Sequence, residues 1–262
     1  MDGRRDERPR GTERPSVQRT GIDPKHLECG EVHVWIAGLD RSAEQIARMS
    51  LSLDREEMAR AARFRTDEHR NRFIVSRAAQ REILSGYGGV DPASITYEYS
   101  AHGKPSLRAS GTGLDSIRFN VTNSVNRALV AVAWEREVGV DVEARRTIRD
   151  VGALARRFFS PAEYAALQTM HDKAVERAFL SCWTRKEAYV KAIGLGISMQ
   201  LAGFDVNVEP DEPATLLATR HDAAAAARWT MHSLDAGAGY FATLVVEGEP
   251  AAVRTFEWRP ED

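Results

Sequence analysis

The sequence predicts an α+β fold built twice, as two similar halves that follow one another along the chain. Three observations predict it. Apolar periodicity switches between the alternation of strands and the helical repeat instead of holding to either. The order of elements begins again near Val151. Finally, laying Phe73 on Phe179 puts Gly88 on Gly194 without a gap, so the long helix of each half and the glycines that stop it fall in register. Arg63-Phe64 precedes the first of these helices and Arg157-Phe158 the second.

The elements follow in order. Residues 1–28 are rich in Arg, Pro and Gly and nearly empty of large apolar side chains, which predicts a solvated, disordered tail. Arg4 and Arg5 are followed by no apolar stretch, so they do not read as an export signal. The first half is expected over 29–137. It opens with a strand, Glu31 to Ala37, whose Val32, Val34 and Ile36 share a face. Helical spacing covers Ala43 to Arg65 and again Glu68 to Ser85, where Gly86, Gly88 and Gly89 end it. Strands are predicted at Ile95–Tyr99, Phe119–Val121 and Leu129–Trp134, the last two joined by a turn at Ser124–Arg127. The second half is expected over 138–262. It opens with the strand Val138–Glu143, then helices at Val151–Arg157, Pro161–Met170 and Val175–Ile193, the last stopped by Gly194 and Gly196. Strands are predicted at Phe204–Val208, Arg228–Leu234, Tyr240–Glu247 and Val253–Trp258, with the Ala-rich run 223–227 as a loop or short helix.

Composition excludes several function classes. The chain has 262 residues, 43% hydrophobic and 28% charged, which is ordinary globular content able to bury a core. A net charge of −2 gives no basic field for nucleic acid. No apolar run approaches the roughly 20 residues that cross a bilayer. Cys29 and Cys182 stand far apart and form neither a disulfide framework nor a metal cluster, which fits a reducing, cytoplasmic setting.

Four groups of residues could carry chemistry. In Gly139-Val140-Asp141-Val142-Glu143, residues two apart share a face, so Asp141 and Glu143 project together while the valines face the core. Such a strand is either a solvated acidic face or a site where a divalent cation relieves the repulsion, and hard oxygen ligands suit Mg²⁺. On the long second-half helix, Trp183, Glu187 and Lys191 form one stripe with Lys186 beside it. This is either an exposed Glu–Lys pair or a cleft wall that ends in a glycine turn. Gly103-Lys104-Pro105 followed by Thr122-Asn123-Ser124 offers a lysine, hydroxyls and amides of the kind that suit phosphate oxygens, a weak signal alone. Ser160, Pro161 and Glu163 read as a capping box, which explains them without catalysis.

Taken in this order, the segments resemble the Sfp-type 4'-phosphopantetheinyl transferase family. That family's pattern runs G-K-P, F-N-x-S-H-S, G-[IV]-D-[IV]-E, R-F-F-x-x-x-E and W-x-x-K-E-A-x-x-K. This chain supplies Gly103–Pro105, Phe119–Ser124, Gly139–Glu143, Arg157–Glu163 and Trp183–Lys191. The resemblance spans about Glu31 to Glu247 and rests most firmly on the GVDVE strand and the last helix.

The resemblance implies a pseudo-two-fold pair of α+β subdomains with the active site in the cleft between them. It implies transfer of the phosphopantetheine arm of coenzyme A to a serine of a separate apo carrier protein, acyl or peptidyl, releasing 3',5'-ADP. Fatty-acid, polyketide and nonribosomal-peptide carriers all qualify. Asp141, Glu143 and Glu187 would hold Mg²⁺, for which Mn²⁺ could substitute. Lys186 and Lys191 would face the phosphates. Lys104, Thr122, Asn123 and Ser124 would meet the nucleotide end, with Arg63 and, on a looser match, Arg60 and Arg72 reaching toward it. Glu187 is the first candidate for the base that takes the serine proton and Glu163 the second; Lys191 would assist the leaving group. A cleft built within one chain predicts a monomer. Asn123 departs from the family's usual His, replacing a group that can carry charge with a neutral donor. Two other readings share part of the pattern: a non-catalytic coenzyme A-binding relative, and another Mg²⁺-dependent phosphoester enzyme.

Overall fold

Alternation of large and polar residues in β1 (Glu31–Gly38) sets the frame for the first half. A computed structural model describes residues 26–108, 114–171, 173–196, 199–250 and 252–260; most of the expected tail, up to residue 25, lies outside them. After β1 come α1 (Ala43–Met49), α2 (Arg55–Ala61) and α3 (Asp67–Gly88), the short strands β2 (Tyr97–Tyr99) and β3 (Pro105–Leu107), then β4 (Ile117–Ser124) and β5 (Arg127–Trp134). The second half repeats this as β6 (Val138–Ala144), α4 (Val151–Phe158), α5 (Pro161–Gln168), α6 (Lys173–Ile193), β7 (Phe204–Val206), β8 (Leu216–Thr219), β9 (Trp229–Leu234) and β10 (Tyr240–Glu247). A last strand, β11 (Ala252–Trp258), has no counterpart.

The sheets show the duplication directly. One runs β11-β1-β5-β4 and the other β6-β10-β9. In each, the first strand of the half pairs antiparallel with the last, which pairs antiparallel with the one before it. Each half also has its own small hairpin, β2–β3 or β7–β8. The register read from Phe73 and Phe179 extends further than the sequence suggests. The same spacing carries the start of α3 onto the start of α6, and Asp54 and Glu57 of one capping box onto Ser160 and Glu163 of the other. It also carries Val32, Val34 and Ile36 onto Val138, Val140 and Val142. The final strand crosses back: β11 lies parallel to β1, so the second half lends its last strand to the first sheet.

The layers are helix, sheet, sheet, helix. Val32, Val34, Ile36, Leu129 and Ala131 of the first sheet pack face to face with Val138, Val140, Val142 and Leu244 of the second. The other face of the first sheet takes α3 through Ile74, Val75, Ala78 and Leu84. The other face of the second takes α6 through Phe179, Cys182, Tyr189 and Val190. On that face β6 offers no apolar side chain, because the residues alternating with its valines are Gly139, Asp141 and Glu143.

Two sequence expectations are corrected. The single helix expected over Ala43 to Arg65 is two helices separated by a 3-10 turn, and it ends at Ala61. Ser50 and Ser52 donate back to the carbonyls of Ala47 and Met49, and Asp54 then starts α2 with a capping box to Glu57. The strands β3 and β8 were not anticipated; each is three or four residues long, too short to show a period. Among the described residues, no helix is long and apolar enough to cross a membrane.

Candidate active site

β6 is an edge strand of its sheet, and its free edge is met by side chains of β4. Asn120 Oδ1 accepts the Val140 N–H at 3.0 Å, and Ser124 Oγ accepts the Ala144 N–H at 3.1 Å. Two lysines satisfy carbonyls on the same strand: Lys104 Nζ donates to Val138 O and Lys191 Nζ to Val140 O, each at 3.3 Å. Buried backbone groups need such partners, so these bonds fix β6 against β4 without a ladder. In that register the hydroxyls of β4 fall on the carboxylates of β6. Thr122 Oγ1 donates to Asp141 Oδ1 at 3.0 Å, and Ser124 Oγ to Glu143 Oε2 at 3.1 Å.

α6 reaches this strand because residue 139 is glycine. A Cβ there would lie 2.1 Å from the Ala188 carbonyl oxygen and 2.3 Å from the Ala192 amide nitrogen. The helix backbone therefore rests on the strand, which brings Lys191 Nζ to 2.6 Å from Asp141 Oδ1 and 3.0 Å from Thr122 Oγ1. Arg146 donates to Glu143 at 2.9 Å.

The electrostatics are unbalanced. Asp141 is 5% exposed, and its Oδ2 is buried with no hydrogen-bond partner. Burial pushes its pKa up, Lys191 and Thr122 pull it down, and the charge of Glu143 raises it again. Glu187 is half-buried; burial raises its pKa first, then the charges of Asp141 and Glu143, with Lys191 opposing. Three carboxylates thus feel one another across β6 and α6. Among the described residues no three acidic, His or Cys groups are gathered closely enough to hold an ion as they stand. The arrangement offers hard oxygen donors, one of them unpartnered, and excess negative charge.

The other residues singled out in the sequence divide. Thr122 and Ser124 join the carboxylates, whereas Asn123 is exposed and, one residue out of phase, points to the opposite face of β4. Lys186 is fully buried and does not face the carboxylates. Its Nζ donates to Glu163 at 2.8 Å, Leu201 O at 2.8 Å and Phe204 O at 2.7 Å, so all three protons are used. Glu163, the second candidate base, is equally committed: it caps α5, takes the Val206 N–H at 2.8 Å and pairs with Lys186. Lys104 Nζ also spends its protons inside the protein, on Glu137 at 2.5 Å, Ala192 O at 2.7 Å and Val138 O. It thereby caps the C-terminus of α6, a favourable place for a cation. Arg63 is exposed just past α2. Arg60 lies over Phe73, and Arg72 is paired with Asp40 and Glu68. Trp183 packs edge-on against Phe158 and stacks on Phe179, an aromatic wall at the start of the stripe that leads to Glu187.

Two positioning residues were missed. Asn120 was legible from strand alternation, since it shares the face of Thr122 and Ser124. Gly139 sits on the face of Asp141 and Glu143, where an absent side chain implies close approach.

Comparison with known proteins identifies the family. Residues 40–135 match the model "4'-phosphopantetheinyl transferase, N-terminal", and residues 137–245 match the 4'-phosphopantetheinyl transferase superfamily. The chain is 37% identical over 237 residues to the 4'-phosphopantetheinyl transferase HetI of Nostoc sp., covering 90% of this chain and 92% of that protein. A 4'-phosphopantetheinyl transferase of Bacillus subtilis is 31% identical over 172 residues, 65% of this chain and 73% of its own. The Sfp protein of Bacillus subtilis strain 168 is 26% identical over 170 residues, again 65% and 73%. The holo-[acyl-carrier-protein] synthase of Thermotoga maritima superposes on 43% of this chain and 63% of its own, at 19% identity and a TM-score of 0.34. With a relative above one-third identity over nine-tenths of its length, and family models on both halves, the chain belongs to the 4'-phosphopantetheinyl transferase superfamily and is a phosphopantetheinyl transferase.

Proposed function

We propose that this enzyme takes the 4'-phosphopantetheine group from coenzyme A and places it on a serine of an apo acyl or peptidyl carrier protein, releasing 3',5'-ADP, with Mg²⁺ as its metal. The observation that carries the reading is Asp141, a buried carboxylate with one oxygen unpartnered, flanked by Glu143 and Glu187 closely enough for their charges to oppose ionisation. Unpaired buried charge is costly, and a hard cation is the partner that oxygen donors of this kind suit. Asp141, Glu143 and Glu187 would hold it. When bound, such an ion stabilises the negative charge that develops as a pyrophosphate is broken.

The chain's own residues do the rest. The serine hydroxyl attacks the phosphorus that carries the pantetheine arm, and the bond from that phosphorus to the bridging oxygen breaks. Glu187, whose proton affinity is already raised, takes the serine proton. Lys191, part-exposed and bonded to Thr122, Val140 O and Asp141, exchanges one of those bonds, the long one to Val140 O first, to present its ammonium to the departing ADP. Thr122 and Ser124 hold Asp141 and Glu143 in place. Arg63 and Asn123, both exposed, are the remaining candidates to meet the nucleotide end. Lys104 and Lys186 act by fixing α6 and its surroundings, since their protons are spent within the protein.

Intact mass of an apo carrier after incubation with the enzyme, coenzyme A and Mg²⁺ tests the reading, with EDTA as the control. A gain of one phosphopantetheine group, absent with EDTA, is expected. No gain on fatty-acid, polyketide or peptide carriers would overturn it.

A further inference from the structure

A pocket of about 590 Å³ lies at the ends of β1, β5 and β11, bordered by the loop from β9 to β10. That volume is in the range of small-molecule sites. It is apart from the carboxylates: Ile36, which lines it, faces the second sheet, whereas Asp141 and Glu143 lie on the face that takes α6.

Two guanidinium groups converge there on one point. A Cβ at Gly38 would lie 3.3 Å from Arg127 Nη1 and 3.5 Å from Arg41 Nη1. Both side chains are partly buried, and like charges on neighbouring side chains repel. Neither arginine is hydrogen-bonded to a carboxylate among the described residues; Asp40 feels the charge of Arg127 but takes its hydrogen bonds from Arg72 and Asn126. Arg41 donates one bond, to its neighbour's carbonyl, Asp40 O, at 3.2 Å, and its Nε is buried with no acceptor. The contact made by the Arg127 guanidinium is with the face of Tyr240, at 5.9 Å. The carboxylates nearby are committed elsewhere. Asp40 takes Arg72 and Asn126, Glu257 takes Arg259, and Asp235 takes the Gly237 N–H. Apolar surface completes the pocket, with Arg41 lying over the Trp258 ring at 5.6 Å.

We propose that this pocket is a second ligand site, for a small organic oxyanion whose phosphate or carboxylate group is gripped by Arg41 and Arg127 and whose apolar part lies against Ile36 and Trp258. A planar oxyanion or a phosphate accepts from guanidinium forks in pairs, which removes the repulsion and satisfies the buried Nε.

Inorganic phosphate and malonate are the probes, titrated calorimetrically into the full chain against chloride of equal ionic strength. Arg127→Gln, Arg41→Gln and Lys191→Ala are compared with the unaltered protein. At least one anion is expected to bind, with affinity falling about tenfold or more in Arg127→Gln and in Arg41→Gln and unchanged in Lys191→Ala. Phosphate alone binding assigns phosphate esters; malonate binding assigns carboxylates. Selenate soaked into crystals should give its anomalous peak between Arg41 and Arg127, a readout that does not depend on the variants folding. The proposal is overturned if neither anion binds, if both arginine variants bind as before, or if only Lys191→Ala loses binding.

Discussion

Trp35 in the first half and Asp141 in the second hold equivalent places on equivalent strands, as do Ala37 and Glu143, Arg81 and Glu187, Ser85 and Lys191. The first half closes its positions by packing. Trp35 Nε1 donates to Tyr87 Oη at 2.8 Å, and the fully buried Arg81 spends its guanidinium on Glu57, Asp54, Pro92 O and Ile95 O. The second half leaves its positions open, with a bare Asp141 oxygen and a Glu187 whose ionisation is opposed. One frame therefore serves two ends. At these equivalent positions the first half is satisfied internally, whereas the second holds carboxylates whose ionisation the fold opposes.

The sharpest way to break this comparison is to substitute one equivalent pair. Glu187→Gln removes a charge the fold opposes, so transfer should fall by about a hundredfold or more while the metal-free melting temperature holds or rises, by up to about 2–4 °C. Arg81→Met removes a charge the fold depends on, leaves Glu57 and Asp54 without it, and should cost about 3–5 kcal/mol. Any molecules that remain folded should keep their turnover. Melting curves and single-substrate kinetics on both variants decide the matter; a large loss of stability in Glu187→Gln would end the distinction.

Next in size is Gly139→Ala. Its counterpart in the first half is His33, a full side chain that stands between β1 and α3 and hydrogen-bonds Tyr87 at 2.8 Å. At Gly139 there is no such space, and even a methyl group meets helix backbone at 2.1 Å. We expect a loss of about 1–3 kcal/mol from overpacking. Turnover should drop further than stability explains, because α6 carries Glu187 and Lys191 away from Asp141. Turnover measured well below the melting temperature separates the two effects, and an active Gly139→Ala would refute the close-approach account.

How much of this could be read beforehand follows from where the two halves agree. Strand faces and the long helices were legible because burial imposes the same apolar pattern on both copies, Val32-Val34-Ile36 and Val138-Val140-Val142 alike. The repeat looked shorter than it is because many of its remaining equivalences, Trp35 with Asp141 or Arg81 with Glu187, join residues of unlike chemistry. Asp141, Glu143, Glu187 and Lys191 were legible as a group, since strand alternation and helix stripes are local rules. The fates of Lys104 and Lys186 were not. Their acceptors, Ala192 O, Phe204 O and Glu163, come from other elements, and no local spacing reveals that a lysine will be used up by them.

Acid should act oppositely on two sets of carboxylates, those paired with arginines and the half-buried Glu187. In the first, the Arg254 hydrogen bond holds Glu31 below its ordinary 4.5, and the Arg72 hydrogen bond holds Asp40 below 3.8. Both stabilise the fold above those values and cease to do so as pH falls through the lowered ones. In the second, burial holds Glu187 above 4.5, so below its raised pKa the folded state binds a proton more readily than the unfolded one. Its cost to stability is relieved as pH falls from neutrality toward 4.5. Melting temperature of the metal-free enzyme should therefore rise on mild acidification and fall on stronger acidification. Glu187→Gln should reduce the rise and leave the fall; an unchanged rise would remove Glu187 as its source.

The smallest expected effect concerns Asn123, which lies on the face of β4 turned away from Thr122 and Ser124 and is exposed. If that face meets the nucleotide end of coenzyme A, Asn can offer a phosphate only a neutral hydrogen bond, while a histidine would add a charge below its ordinary pKa of about 6.5. Asn123→His should then tighten coenzyme A binding by a few-fold, within the range of about 0.2–1 kcal/mol for exposed ion pairs, and only on the acid side of neutrality. Because residue 123 is out of phase with the carboxylates, the gain should appear in affinity and not in turnover at saturation. Titrating coenzyme A against Asn123→His at pH 6 and pH 8 tests this. Equal affinities at both pH values would place the nucleotide away from this face of β4 and leave Arg63 as the first half's candidate to meet it.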